Sequence, residues 1–554
     1  MGRILMLIMA TTTIKPPVPP ASAAPPPGDG AGRGPSVSGA AAIVVGATLL
    51  SRVLGLIRDV VIAHQLGATA DSDIYIGAFK VCDLLMYLVA GGALSSTFIP
   101  VFKEYLHQNK LRQAWQAFSV VATVTAIVAV LFVLLAEVFT PTFVHLINGG
   151  YTADQVARAV PLVRIILPAQ IFFMLGGLLM GTLNARGQFL IPALGPSVYN
   201  LGIIFGAAVL YPLGLGLPGL MWGALLGAFI GNFALQIVPV ARLGMRYRPS
   251  LAVLHPGAVK VWKMMLPIVL GVSLPNVDQL ITGNFASELS TGSQASIGFA
   301  TRMMLIPIGI FAQAMGIAIL PTMAAQAAAN QRRAFRATLN KGLRTILFLT
   351  VPSSALLFLL AQPTVAFLLQ SGRFTPEATL MTASALRFYS LGIFAWSAQA
   401  ILTRGCYALQ DSRTPVISGT IMTMLFIAMS WLVVNASDWG VSGLALVTTI
   451  AATLHMGVLL IVLRHRLKGM QDMILLTSVV KTSLATAALC LAVVVLRGVL
   501  GHLLPNGAST PKLHAAIVLA VAGGGGLAAF AVAARGLRMN ELQSVVGLVR
   551  RRKG

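Results

Sequence analysis

Negative charge is scarce in this chain: 15 Asp and Glu stand against 39 Lys and Arg in 554 residues, a net charge of +24. Charge of either sign makes up only 10% of the residues, and there are just three cysteines. With 57% hydrophobic residues, so low a charge excludes an ordinary soluble domain, in which about 45–50% of residues are apolar. Cys82, Cys406 and Cys490 lie in or beside apolar runs at no metal-ligand spacing, so neither a disulfide framework nor a metal site is expected. H-E-x-x-H, Walker A, G-x-S-x-G and Asp-rich metal motifs are all missing. An enzyme and an ATP-driven pump are therefore not expected, and no cofactor is called for. Cations without interleaved aromatic residues also argue against nucleic acid as a partner.

What the chain has in abundance is apolar length. Fourteen segments approach the roughly 20 residues that a hydrocarbon core of about 30 Å requires of a helix. They lie near 39–64, 73–101, 114–139, 155–183, 190–211, 217–241, 264–287, 295–326, 343–361, 378–404, 414–433, 440–463, 473–497 and 513–534. Every linker after an even-numbered segment carries Lys or Arg, whereas those after odd-numbered segments carry none except Arg373 and Lys512. The positive charge is thus a topology signal: an all-α polytopic membrane protein with both termini cytoplasmic. Residues 1–38 include a Pro/Gly/Ala tract that cannot bury a core, so a disordered cytoplasmic arm is expected there, and residues 535–554 form a basic cytoplasmic tail.

The chain also repeats itself. Shifting it by about 220 residues lays FIPVFKEYLHQNKLRQAWQAF (Phe98 to Phe118) over ILPTMAAQAAANQRRAFRATL (Ile319 to Leu339). The same shift lays LLAEVFTPTFVHLINGGYT (Leu134 to Thr152) over LLAQPTVAFLLQSGRFT (Leu359 to Thr375). Six helices per copy is an even number, so the two copies are oriented alike, as in transporters that rock one half against the other. This predicts a first lobe at 39–244, a basic linker at 245–263, a second lobe at 264–466 and an appended helix pair at 467–534.

Several cations fall inside or at the edge of these segments: Arg52, Arg58, Lys80, Arg158, Arg164, Arg302, Arg387, Lys481 and Arg497. Such residues face protein or a wet cavity, because lipid does not tolerate them. Arg158, Lys481 and Arg497 are near enough to segment ends to snorkel. At about 100° per residue, Arg52 shares a face with Asp59, and Asp73 with Lys80 and nearly with Asp83. Arg52 and Arg58 are about 120° apart on the same geometry, so a bend at Gly55 is needed for both to point inward. Two readings compete. In one, these cations merely pair with Asp59, Asp73, Asp83 and Asp278 to lock the lobes. In the other, Arg52, Arg58 and Arg302 form a cradle for a diphosphate, which guanidinium groups chelate bidentately at any physiological pH.

SRVLGLIRD (Ser51 to Asp59), LGATADSDIYIGAFK (Leu66 to Lys80), GALSSTFIPVFKEY (Gly92 to Tyr105), IGFATRMMLIPIGIFAQAMGIAILP (Ile297 to Pro321) and LQDSRTPV (Leu409 to Val416) resemble the MurJ/MviN lipid II flippase family. The resemblance implies the multidrug/oligosaccharidyl-lipid/polysaccharide exporter fold, with fourteen helices in two lobes. It also implies lipid II, the undecaprenyl-diphosphate-linked glycopeptide of peptidoglycan, as the substrate moved from the inner to the outer leaflet of a bacterial inner membrane; membrane lipids are expected as further partners and a monomer as the working unit. Residue by residue, it carries the family's charged cavity positions onto Arg52, Arg58, Asp73 and Arg302; together with the helix-face charges above, Arg52, Arg58 and Arg302 are expected to hold the diphosphate, and Asp73, Lys80, Asp59 and Asp83 to gate and tune the cavity. Where family members carry further charges, this chain has Met86, Tyr87, Gly91 and Leu305. The alternatives are export of another lipid-linked oligosaccharide, ion-coupled export of organic cations on the same fold, or glycan polymerisation by an outer-loop carboxylate such as Glu288, Glu377 or Asp438.

Overall fold

Inside a bilayer the backbone has no water to bond, so each apolar run must satisfy its own N–H and C=O groups as helix. The computed structural model describes residues 37–88, 93–273, 277–503 and 511–543. Helix lies in each of the fourteen predicted segments, and no strand occurs among the described residues. Nine helices among them are long and apolar enough to cross a membrane. The predicted N-terminal arm lies outside the described residues except for its last two, which already belong to the first helix, and the basic tail lies outside them beyond residue 543.

In chain order the first half holds α1 (Val37–Leu66), α2a (Ala70–Leu88), α2b (Ala93–His107), α3 (Leu111–Ile147), α4a (Ala153–Ile166), α4b (Ala169–Ala185), α5 (Leu190–Phe205) and α6 (Gly216–Ala228, continued at Leu235–Arg242). The second half holds α7a (Pro256–Ser273), α7b (Val277–Ser287), α8a (Ser293–Pro307), α8b (Gln313–Ala328), α9 (Arg332–Leu359), α10a (Pro376–Ser390), α10b (Ile393–Ala408), α11 (Arg413–Ala436) and α12 (Gly440–Arg466). α13 (Asp472–Leu503) and α14 (Pro511–Val518, continued at Gly524–Gly536) complete the chain.

The repeat is visible in the caps. Thr152 and Thr375, which the sequence shift aligns, are the N-caps of α4a and α10a: Gln155 N–H donates to Thr152 Oγ1 at 3.3 Å and Ala378 N–H to Thr375 Oγ1 at 3.2 Å. Each satisfies a donor that a helix start leaves free. Both helices then break at equivalent points, before Ala169 at Pro168 and before Ile393 at Gly392.

α5 and α6 form a hairpin that reverses through Gly214 and Gly216, whose φ values of +97° and +57° suit residues without a Cβ. Glycines also line the seam of this hairpin. A Cβ on Gly223 would come 2.5 Å from Gly202 O and 2.6 Å from Gly206 Cα, and one on Gly227 would come 3.1 Å from Gly202 Cα. Small residues four apart let membrane helices approach backbone to backbone.

α7 links the halves. It starts at Pro256, within the predicted linker, and α7a buries Ala258 and Val261 in a cluster with Phe98, Phe102 and Trp115 of the first half. Lys260 Nζ reaches Glu104 at 2.8 Å. α7b instead bonds across to α11, with Thr423 Oγ1 donating to Asp278 Oδ1 at 2.7 Å. α13 and α14 pack on α9 through Leu489, Val493, Phe530 and Phe348.

Candidate functional site

α1 runs through Gly55 as one helix, and the two arginines reach different neighbours instead of requiring a bend. Arg58 turns to α5, where its Nη1 donates to Asn200 Oδ1 at 3.0 Å, and Asn200 Nδ2 in turn donates to Ser51 O at 3.1 Å. Its Nε and Nη2 donate to Asp59 Oδ1 at 3.1 and 2.9 Å. Arg302, on α8a, donates from Nη1 to the same Oδ1 at 2.7 Å. One carboxylate oxygen therefore accepts from guanidiniums of both halves.

Arg52 takes no part in this pairing, although it shares a helix face with Asp59. Its guanidinium lies against Gly309, in the π-helical turn Ile308–Ala312 that separates α8a from α8b. Arg52 has no ion pair among the described residues, and it is exposed.

The polar stripe of α2a faces the second half. Asp73 is buried, and its partner is backbone, not Lys80: Gly292 N–H donates to Oδ2 at 2.6 Å and Ala295 N–H to Oδ1 at 2.8 Å. The carboxylate thereby caps α8a, where free N–H groups and the positive end of the helix dipole favour an anion. The Lys80 side chain lies against Gly283 of α7b, within electrostatic reach of Asp73, Arg302 and Asp83. Asp83 is exposed and feels Arg302, Lys80 and Arg58. Arg58, Arg302 and Lys80 thus meet three carboxylates, one of them committed to backbone, and Arg52 stands on the same helix as Arg58 with no carboxylate partner among the described residues. With Arg52 counted, the group carries an excess of positive charge, part of which is exposed.

One more guanidinium belongs beside these, and the sequence reading missed it. Arg404 of α10b lies against Gly316 of α8b, with Nη2 donating to Gln313 Oε1 at 3.0 Å. Positions 302, 309 and 316 therefore each carry or contact an arginine, at intervals of about 10 Å along the helix. The available signal was Arg404 within the apolar run Ser397–Ala408, which the predicted segment boundary cut short. Asn200, the polar anchor of Arg58, was also missed. The cations read as snorkelling end on protein acceptors: Arg158 pairs with Asp71, Lys481 Nζ donates to Leu537 O at 2.9 Å and Arg497 Nη1 to Leu359 O at 2.6 Å. Among the described residues no three His, Cys, Asp or Glu converge as a metal site.

The halves are fastened along their length by Asp59 and Arg302 and, most densely, at the end carrying the non-basic loops. There Gly150 N–H donates to Ser287 Oγ (3.0 Å), Asn284 Nδ2 to Leu146 O (2.9 Å) and Gln294 Nε2 to Asn148 Oδ1 (2.9 Å). The Tyr151 hydroxyl sits 2.7 Å from Gln294 Oε1, and Arg373 N–H donates to His64 O at 2.9 Å. At the basic-loop end Lys260 of α7a, the helix that links the halves, donates to Glu104 of α2b at 2.8 Å. Asp73→Ala should weaken the end carrying the non-basic loops by about 1–2 kcal/mol, the range of a lost helix cap. A single cysteine reporter at position 287 should then react about tenfold faster with a soluble maleimide.

The family described as lipid II flippase MurJ matches residues 62–509, a stretch that begins just after the α1 arginines. A probable lipid II flippase MurJ of Vibrio cholerae serotype O1 is 32% identical over 428 residues, covering 75% of this chain and 81% of the relative. The lipid II flippase MurJ of Burkholderia cenocepacia is 31% identical over 384 residues, covering 68% and 74%. Among solved structures, a lipid II flippase MurJ in an inward closed conformation superposes with a TM-score of 0.73 at 24% identity, covering 90% of this chain and 99% of that one. An inward-facing multidrug resistance transporter of the MATE family gives 0.64 at 14% identity, covering 78% and 99%.

Proposed function

Because this chain belongs to the lipid II flippase MurJ family, we propose that it moves lipid II from the inner to the outer leaflet by opening its halves alternately to either side. The observation that carries the reading is the meeting of Arg58 and Arg302, from opposite halves, on the single carboxylate of Asp59. A diphosphate presents the same kind of acceptor with more oxygens, so it can take over donors from both halves at once. Arg52 and the exposed part of Arg302 offer the first contacts, Arg58 completes the clamp, and Arg404 stands nearer the basic-loop end. Asp73 holds the far end shut, while Lys80 and Asp83 set the local charge.

On the positive-inside rule the basic loops and both termini are cytoplasmic, and the fastened end then faces outward. Only the polar head of the substrate needs shelter. The polyprenyl tail stays in lipid, since each CH₂ moved to water costs about 0.8 kcal/mol. An inside-negative potential favours outward movement of an anion by about 2.3 kcal/mol per charge per 100 mV. An exporter of organic cations has less support, because Arg52, Arg58, Arg302 and Lys80 outnumber the carboxylates beside them, and Asp278, an acid of the second half at membrane depth, is bonded to Thr423.

Depleting the protein in its own cells is the direct test. Lipid II should accumulate in the inner leaflet, beyond the reach of an externally added lipid II-cleaving toxin. Undiminished cleavage after depletion would rule the reading out.

A further inference from the structure

Away from the arginine cluster, α2b, α3, α4b and α7a enclose a cavity of about 390 Å³. Leu94, Val128, Phe173, Met174 and Trp262 form much of its almost wholly apolar wall. An apolar cavity of about 150 Å³ already stays dry and takes a benzene, so this one has room for a longer hydrocarbon. Gly177 also lines it, and a Cβ there would meet nothing within 4 Å. Val124 and Val128 lie about 20–25 Å from the basic-loop end of α3 at 1.5 Å per residue, the depth of one leaflet.

The mouth has a distinct chemistry. The strap between α6 and α7a is pinned along α3: Arg248 N–H donates to Ser119 Oγ at 3.1 Å and Ser250 N–H to Thr123 Oγ1 at 3.2 Å. This sets Arg246 and Arg248, both exposed, close to the turn of α3 that enters the cavity. Val253 of the strap is part of the lining, while Leu251 and Leu254 are 66% and 85% exposed. Apolar side chains bared beside arginines belong at a membrane interface, with their bodies in hydrocarbon and the cations at the level of lipid phosphates. No helix that carries Arg52, Arg58 or Arg302 lines this cavity.

We propose that the cavity holds one acyl chain of an anionic phospholipid from the leaflet at the basic-loop end, with the lipid phosphate against Arg246 and Arg248. The site is independent of the transported substrate. Its test uses the purified full chain, stripped of lipid in detergent and titrated by native mass spectrometry. Dioleoylphosphatidylglycerol, dioleoylphosphatidylcholine and undecaprenyl phosphate serve as separate probes. One phosphatidylglycerol should bind in preference to phosphatidylcholine. Gly177→Leu and Val128→Phe, which fill the space by different routes, should each weaken it by about tenfold or more, as should the pair Arg246→Ser and Arg248→Ser. A monodisperse chromatographic profile shows that each variant is folded. Unchanged binding in both filled variants, equal binding of phosphatidylcholine, or occupation by undecaprenyl phosphate but not phosphatidylglycerol would overturn the proposal.

Discussion

Arg302→Ala should abolish rescue of a flippase-deficient strain while leaving full-length protein in the membrane. The guanidinium is about one-third exposed, so its removal leaves no collapsed core, and Asp59 keeps Arg58 as a partner. What disappears is the second half's donor at the shared oxygen. A charge-assisted hydrogen bond is worth about 1.5–3 kcal/mol, and a guanidinium fork offers two of them to a diphosphate. The transport rate should therefore fall by a factor of about 100 or more. Arg302→Lys retains the charge but loses the fork, so it should rescue only in part. Full rescue by the alanine variant would show that the residue only fastens the halves.

Gly223→Leu should eliminate folded protein. Its Cβ alone would lie 2.5 Å from Gly202 O, 2.6 Å from Gly206 Cα and 2.7 Å from Gly206 N, all backbone atoms that no rotamer change can move. Overpacking by one or two methylenes costs about 1–3 kcal/mol where side chains can adjust. Here two helices must separate along the whole seam, and the contacts that replace hydrophobic driving force in a membrane are lost with it. Membrane abundance, read by fluorescence-detected size-exclusion chromatography, should drop about tenfold or more. Gly498→Leu is the matched control: its Cβ on α13 would meet nothing within 4 Å, and its profile should match that of the unsubstituted chain.

The spans were legible because a bilayer leaves an apolar run few alternatives to helix, and the duplicated halves were legible because Thr152 and Thr375 do the same capping in each copy. Helix periodicity, which relates residues on one element, did not give the partners. Asp73 and Lys80 are seven apart on one helix, but Asp73 bonds to backbone N–H groups more than 200 residues away, and no side-chain pattern marks a backbone donor. Arg52 and Asp59 share a face for the same reason and still do not pair, because Arg58 and Arg302 reach the carboxylate first. The glycine seam could have been read from Gly202 and Gly206 set against Gly219, Gly223 and Gly227, each four apart.

The uneven fastening of the halves fixes where the idle protein waits. Several links at one rim, each worth about 0.5–1.5 kcal/mol, hold that rim together like the spine of a book, while at the opposite margin the halves are tied through α7a. Reversing a preference from 1:99 to 99:1 takes about 5.5 kcal/mol, so under the proposed cycle that is the scale of binding energy the cargo would have to supply to part the fastened rim. On the orientation proposed above, a machine built this way would rest with its loading side the easier one to part.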